Sequence, residues 1–137
     1  MKIGDIMTSG VELTSPNASL QEAAKKMADL DVGSLPVGQD DRLVGMITDR
    51  DIAVRAVAAG KDIKKCKVRD VMTDKVLYRF VDDDVEDLAE DMAALQVRRM
   101  PIVNRDKRLV GIVSVGDIAV RCDTSRGGDT LRAVAAH

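Results

Sequence analysis

Hydrophobic positions along the chain change their period several times, and each change marks an element. Val11-Glu12-Leu13-Thr14 alternates and stops at Ser15-Pro16-Asn17, which predicts a short strand and a turn. Leu20, Ala23, Ala24, Met27, Ala28 and Leu30 recur at helical spacing and give one apolar face. Ser19-Leu20-Gln21-Glu22 has the spacing of a capping box at the start of that helix, which is expected to end between Asp31 and Gly33. Ser34 to Val37 predicts a strand, and Gly38-Gln39-Asp40-Asp41 a hairpin turn. Leu43 to Ile47 is a near-continuous apolar run, the pattern of a strand covered on both faces. Asp51 to Ala59 predicts a second helix, stopped by Gly60. After a polar linker from Lys61 to Lys67 the order returns. Val76 to Val81 reads as a strand, Val85 to Leu95 as a helix, Met100 to Val103 and Arg108 to Val113 as strands, and Gly116 to Arg121 as the opening of a helix.

The residues repeat as well as the elements. Asp5-Ile6-Met7-Thr8 returns as Asp70-Val71-Met72-Thr73, Leu35-Pro36-Val37 as Met100-Pro101-Ile102, and Leu43-Val44-Gly45-Met46-Ile47-Thr48 as Leu109-Val110-Gly111-Ile112-Val113-Ser114. Asp51-Ile52-Ala53-Val54-Arg55 closes the first copy and Asp117-Ile118-Ala119-Val120-Arg121 the second. The offset is 65 from Met7 to Met72 and 66 from Asp51 to Asp117, so the register slips by one residue between Pro36 and Leu43. A tandem copy of this kind fixes the architecture before any single motif is interpreted. The expectation is a mixed α/β (α+β) fold of two β-α-β-β-α units, related by a pseudo-twofold axis with a cleft between them. Residues 1–62 form repeat 1 and 63–123 repeat 2. Residues 124–137 are read as a tail in which Ser125-Arg126-Gly127-Gly128 is flexible and Leu131 to Ala136 is either a short helix or disordered.

With 137 residues the chain is one ordinary domain in size, and each repeat alone would bury little apolar surface. A net charge of −2 argues against a nucleic-acid partner held by phosphate contacts. Tyr78 and Phe80 are the only aromatic residues, so stacking platforms for single strands are missing and a flat ligand ring would be gripped by aliphatic side chains. Cys66 and Cys122 occupy unrelated places in the repeat, and nothing else suggests an oxidising compartment. Met1-Lys2-Ile3-Gly4-Asp5 lacks the apolar run of a signal peptide, and no stretch is long and apolar enough to span a membrane, so a cytoplasmic location is expected. No metal site is expected from one terminal histidine, His137, and two separated cysteines. No nucleophile–base pair and no Gly-Lys-Ser/Thr phosphate loop appears, so no catalytic residue is assigned and the chain is expected not to be an enzyme. Met7, Met27, Met72 and Met92 recur at matching positions and read as core or dimer contacts.

The Met-Thr opening, the Pro-centred strand and the Gly-x-x-Thr/Ser-x-x-Asp closure, in this order and twice over residues 3–122, resemble the CBS domain (cystathionine β-synthase motif), in the form of a stand-alone tandem pair. The resemblance implies a regulatory module that binds an adenosine-containing ligand (AMP, ADP or ATP foremost, NAD or S-adenosylmethionine as further members) in the cleft between its repeats. It implies no required cofactor, a disc-like homodimer, and an effector protein that reads occupancy. The rival expectation is a dimerisation or scaffold module with empty pockets.

The candidate site follows from these motifs. Gly45 to Asp51 and Gly111 to Asp117 each join a buried strand to a helix, where backbone N–H groups favour phosphate. The resemblance assigns Thr48, Asp51, Ser114 and Asp117 to the sugar and phosphate, with Ile47 and Arg50 beside them. A carboxylate suits the two hydroxyls of a ribose. The same spacing is equally that of a capping box, which satisfies a helix's own first turn. The strand entrances Val32-Gly33-Ser34-Leu35-Pro36 and Val97-Arg98-Arg99-Met100-Pro101 are expected to flank the adenine, with Val11 and Leu13. A crossed grouping is expected: Thr48 and Asp51 with Val97 to Pro101, and Ser114 and Asp117 with Val11, Leu13 and Val32 to Pro36. Arg50, Arg98 and Arg99 would then converge on one phosphate-binding site, unless they pair with Asp49 or Asp82-Asp83-Asp84.

Overall fold

Two bodies emerge from the computed structural model, which describes residues 1–121. One is formed by residues 12–76, the other by residues 1–11 together with residues 77–121. In the first body α1 (Leu20–Leu30) is followed by β1 (Ser34–Gln39), β2 (Arg42–Thr48), a short α2 (Asp49–Asp51) that continues as a π-helical stretch (Ile52–Val57), and α3 (Val68–Val71). In the second, a 3-10 turn (Ile3–Asp5) joins β3 (Arg79–Phe80), α4 (Val85–Leu95), β4 (Arg99–Val103), β5 (Leu109–Ser114) and α5 (Val115–Arg121). The mixed α+β character expected from the sequence is present. The tail 124–137 and Cys122 lie outside the described residues.

The bodies and the sequence repeats cut the chain differently. The Asp-x-Met-Thr segment that opens repeat 1 completes the body of repeat 2: Thr8 bridges Ile112, with Thr8 N–H to the Ile112 carbonyl at 2.9 Å and the return bond at 3.0 Å. Its counterpart Thr73 bridges Met46 in repeat 1, both bonds at 2.9 Å. Ile3 and Ile6 accordingly belong to one apolar core with Leu88, Met92, Met100, Ile102 and Ile118. Cys66, Val68 and Val71 belong to the other, with Leu20, Ala23, Met27, Leu35, Val37 and Ile47.

Each sheet is short for a stated reason. β1 and β2 pair antiparallel, as do β4 and β5, while β3 runs parallel to β4. The strand expected over Val11–Thr14 shrinks to a single parallel bridge at Thr14, and the one expected over Val76–Val81 to Arg79–Phe80. Thr14 N–H bonds the Pro36 carbonyl (3.0 Å) and Gly38 N–H bonds the Thr14 carbonyl (2.9 Å). The next donor in that ladder would be the N–H of residue 36, which proline lacks. Pro101 stands at the same place opposite the residues before Arg79.

Both hairpins carry an irregularity one residue before the repeated glycine, so that Val44 and Val110 are the extra residues. The residue gained between the repeats is also visible. Gln39 pairs with Arg42 around Asp40 and Asp41, both at positive φ (54° and 64°), the form of a tight two-residue hairpin turn. The second hairpin uses three residues: Asn104 Oδ1 accepts from the N–H groups of Asp106 and Arg108, each at 3.0 Å, and Lys107 takes the left-handed conformation (φ 63°).

α1 starts at Ser19, whose hydroxyl accepts the Glu22 N–H at 3.1 Å, the first half of the expected capping box. It ends with Asp31 left-handed (φ 54°), and α4 ends the same way at Gln96 (φ 57°). Met27 and Met92 are buried core residues, as their helical spacing indicated.

Candidate functional site

Both Thr/Ser-x-x-Asp turns close on themselves. Thr48 N–H donates to Asp51 Oδ2 (3.0 Å) and Asp51 N–H donates to the Thr48 hydroxyl oxygen (2.9 Å). Ser114 N–H donates to Asp117 Oδ2 (2.9 Å) and Asp117 N–H to the Ser114 hydroxyl oxygen (3.0 Å). The capping interpretation of this spacing is therefore realised twice. Each carboxylate spends one oxygen on the cap, and an ionised carboxylate has capacity for further donors. All four side chains are half-buried.

The strand register sets what faces these turns. Ser34 lies directly opposite Thr48, and Arg99 directly opposite Ser114. Directly opposed residues of an antiparallel pair share a face of the sheet. The Asp49 N–H bonds the Gly33 carbonyl and the Val115 N–H the Arg98 carbonyl, both at 2.9 Å. Each entrance is thus joined to the turn of its own repeat. The physical reason is the hairpin: a two- or three-residue loop between adjacent strands brings the first residue of one opposite the last of the other. Within its body Arg99 lies opposite Ser114, and the Arg98 carbonyl is bonded at the start of α5.

Burial sorts the remaining residues. Leu35, Ile47 and Met100 are at most 1% exposed, and Pro101 is buried, so these four support the turns from the core. Val11, Leu13, Val32 and Val97 are half-buried, and Gly33, Arg50 and Arg98 are exposed. Leu13 packs over Gly38 of its own body, and its carbonyl accepts the Lys26 ammonium at 2.7 Å. Burial lowers the pKa of the half-buried Arg99 guanidinium below the usual arginine range, with the Asp117 carboxylate acting in the opposite direction.

The Asp-rich stretch takes other partners. Arg105 bonds Asp82 at 2.9 Å while its guanidinium lies 4.2 Å from the Phe80 ring centre, and Lys2 bonds Asp84 at 3.2 Å. The Arg105 hydrogen bond lowers the Asp82 pKa below its ordinary value. Arg79 pairs with Asp91 at 2.6 Å.

One feature escaped the sequence. A cavity of about 320 Å³ opens between α1 and the π-helical stretch, lined by Met27, Val32 and Ile52 with the carboxylates of Asp31 and Asp49. Of the predicted site residues only Val32 reaches it. The signal in the sequence was the unmatched charge: the positions of Asp31 and Asp49 are taken by Gln96 and Val115 in the second copy. Among the described residues no group of three or more His, Cys, Asp or Glu is placed to hold a metal ion, and no helix is long and apolar enough to cross a membrane.

Known proteins share this arrangement. The CBS domain family model matches residues 3–57 and again 68–122. The CBS domain-containing protein YhcV of Bacillus subtilis is 43% identical over 118 residues, covering 86% of this chain and 83% of its own. Among solved structures, Hypoxic Response Protein I with two coordinated zinc ions superposes with a TM-score of 0.80 at 36% identity, covering 90% of this chain and all of that one. CBSX2 in complex with AMP gives 0.77 at 30% identity (88% and 94% covered). The CBS domain pair of MJ0100 with 5′-methylthioadenosine and S-adenosyl-L-methionine gives 0.73 at 31% identity (88% and 94% covered). The twice-matched model, the exchanged Asp-x-Met-Thr segments and the two self-capped turns together place this chain in the CBS domain family, as a tandem pair.

Proposed function

We propose that the chain is a non-enzymatic regulatory module that binds adenosine-containing ligands at its Thr48–Asp51 and Ser114–Asp117 turns and passes occupancy to a partner protein. The observation that carries this is the pair of self-capped turns. Each presents a half-buried carboxylate whose geometry is already fixed by its own backbone, so little ordering remains to be done when a ribose arrives. The AMP-bound and S-adenosylmethionine-bound relatives support the ligand class. A second copy of the chain is the proposed assembly partner. Leu30, Val54 and Val57 in one body, and Leu95 and Val120 in the other, are large apolar side chains at least 43% exposed. Transmission would be by linkage: a ligand that prefers one conformation raises its population, and a partner reads it.

Titration calorimetry of nucleotide-free protein against AMP, ADP, ATP, NAD and S-adenosylmethionine tests the proposal. Saturable heat with at least one of them is expected. Silence with all five at millimolar concentration favours the alternative, a scaffold in which the turns serve only as helix caps.

A further inference from the structure

Both Asp-x-Met-Thr segments are held in the same way, by a thioether pressed on bare backbone. A Cβ at Gly45 would lie 2.8 Å from Met72 Sδ and 2.9 Å from the Thr73 carbonyl oxygen. A Cβ at Gly111 would lie 2.5 Å from Met7 Sδ and 3.0 Å from the Thr8 carbonyl oxygen. Each sulfur therefore fills the space that a side chain on the strand would need. The backbone donors beside it are already spent. Thr8 and Ile112 exchange N–H···O bonds at 2.9 and 3.0 Å, and Thr73 and Met46 exchange theirs at 2.9 Å.

Burial sets these two methionines apart. Met27, Met92 and Met100 are at most 5% exposed, deep in the cores, and Met1 is largely exposed. Met7 and Met72 are half-buried and packed against the core of the body that each segment completes. Water reaches part of each side chain, while the attachment of the segment rests on the rest of it. Oxidation of a thioether requires that access, and its structural effect requires that packing.

We infer that Met7 and Met72 are reversible oxidation sites, through which hydrogen peroxide releases the two Asp-x-Met-Thr segments from their strands. The thioether sulfur attacks one peroxide oxygen, the O–O bond breaks, an S–O bond forms, and the second oxygen leaves as water. Sulfur loses two electrons and the peroxide gains them. The sulfoxide oxygen is a polar acceptor that must find a donor or water. Over Gly111 or Gly45 it would meet the Thr8 or Thr73 carbonyl, another acceptor, and N–H groups that the bridges already use. The oxidised side chain therefore turns out to water, uncovers the glycine and opens the bridge. Methionine sulfoxide reductases, one for each epimer, restore the thioether. This inference does not depend on adenosine binding.

The test treats the full chain with hydrogen peroxide and maps oxygen uptake on each methionine by peptide mass spectrometry. Met7 and Met72 are expected to be oxidised well before Met27, Met92 and Met100. Amide hydrogen exchange then reads the bridges directly. The Thr8 and Thr73 N–H groups are expected to exchange about 10-fold faster or more in the oxidised protein. The urea unfolding midpoint is expected to fall, and to return after treatment with both sulfoxide reductases. A Met7→Leu, Met72→Leu variant keeps the volume and the apolar contact. It is expected to hold its midpoint through the same peroxide treatment. Met46, Cys66 and Cys122 remain in that variant, so their oxidation cannot produce the difference. Unchanged exchange at Thr8 and Thr73 in protein oxidised at Met7 and Met72 overturns the inference. So does an equal fall in midpoint in the leucine variant, or oxygen uptake on Met27, Met92 and Met100 first. The exchange measurement needs no substitution, so it decides the matter even where the leucine variant does not fold.

Discussion

Gly111→Ala is expected to destabilise the protein by about 3 kcal/mol, at the upper end for a single inserted methyl group. A Cβ at Gly111 would lie 2.5 Å from Met7 Sδ and 3.0 Å from the Thr8 carbonyl oxygen. The methionine side chain is flexible, but the carbonyl is not free to retreat. It accepts the Ile112 N–H at 3.0 Å, in the bridge that attaches the first segment of the chain to β5. Relief therefore breaks a backbone bond or displaces the segment. Urea unfolding of Gly111→Ala, Met7→Ala and the double variant checks this. The double variant should be more stable than the two single effects predict, by about 1 kcal/mol or more, since shortening Met7 removes the sulfur from the clash. A Gly111→Ala protein as stable as the unaltered chain would contradict the packing described.

Removal of residues 1–9 is expected to cost more, above about 4 kcal/mol, which is a large part of the stability of an ordinary domain. Ile3 and Ile6 are 0% and 1% exposed in a core otherwise built from α4, β4, β5 and α5. The segment also supplies backbone bonds from Ile3 to Asp83 and from Gly4 to Val81 (both 2.9 Å), besides the Thr8 bridge. Each large buried aliphatic lost contributes roughly 2–5 kcal/mol. The measurement is the free energy of urea unfolding with and without the segment. A loss below about 1 kcal/mol would mean that the segment is peripheral to the second core.

The same residues show how far the sequence could be read. The element order, the helix faces and both hairpins were legible because each rests on a local period or turn chemistry: Leu20, Ala23 and Met27 at helical spacing, for example, are all buried. The four turn residues Thr48, Asp51, Ser114 and Asp117 were legible because their spacing is itself the hydrogen-bond pattern. The partner of Met7 was not. That it packs on Gly111, more than 100 residues away, while Met72 packs on Gly45, depends on which body each segment joins, and no local period carries that. Strand ends were overestimated at Val11 and Val76 because alternation continues where Pro36 and Pro101 have no N–H to offer. The sequence shows that Arg99 replaces Ser34, whereas only the strand register shows that it lies opposite Ser114 in its own sheet.

The central claim is that the two turns bind adenosine compounds, and one comparison tests it most directly. Thermal unfolding of nucleotide-free protein is followed with AMP or S-adenosylmethionine, in the unaltered chain and in the joint Asp51→Asn, Asp117→Asn variant. Asparagine can still accept the Thr48 and Ser114 N–H bonds, so the caps persist while the carboxylate charge is gone. A ligand at about a hundred times its dissociation constant stabilises by roughly 2.7 kcal/mol, a shift of several degrees in a protein of this size. The account predicts that shift in the unaltered chain and its loss in the joint variant. An equal shift in both proteins, or none in the unaltered chain with any adenosine ligand, would contradict it.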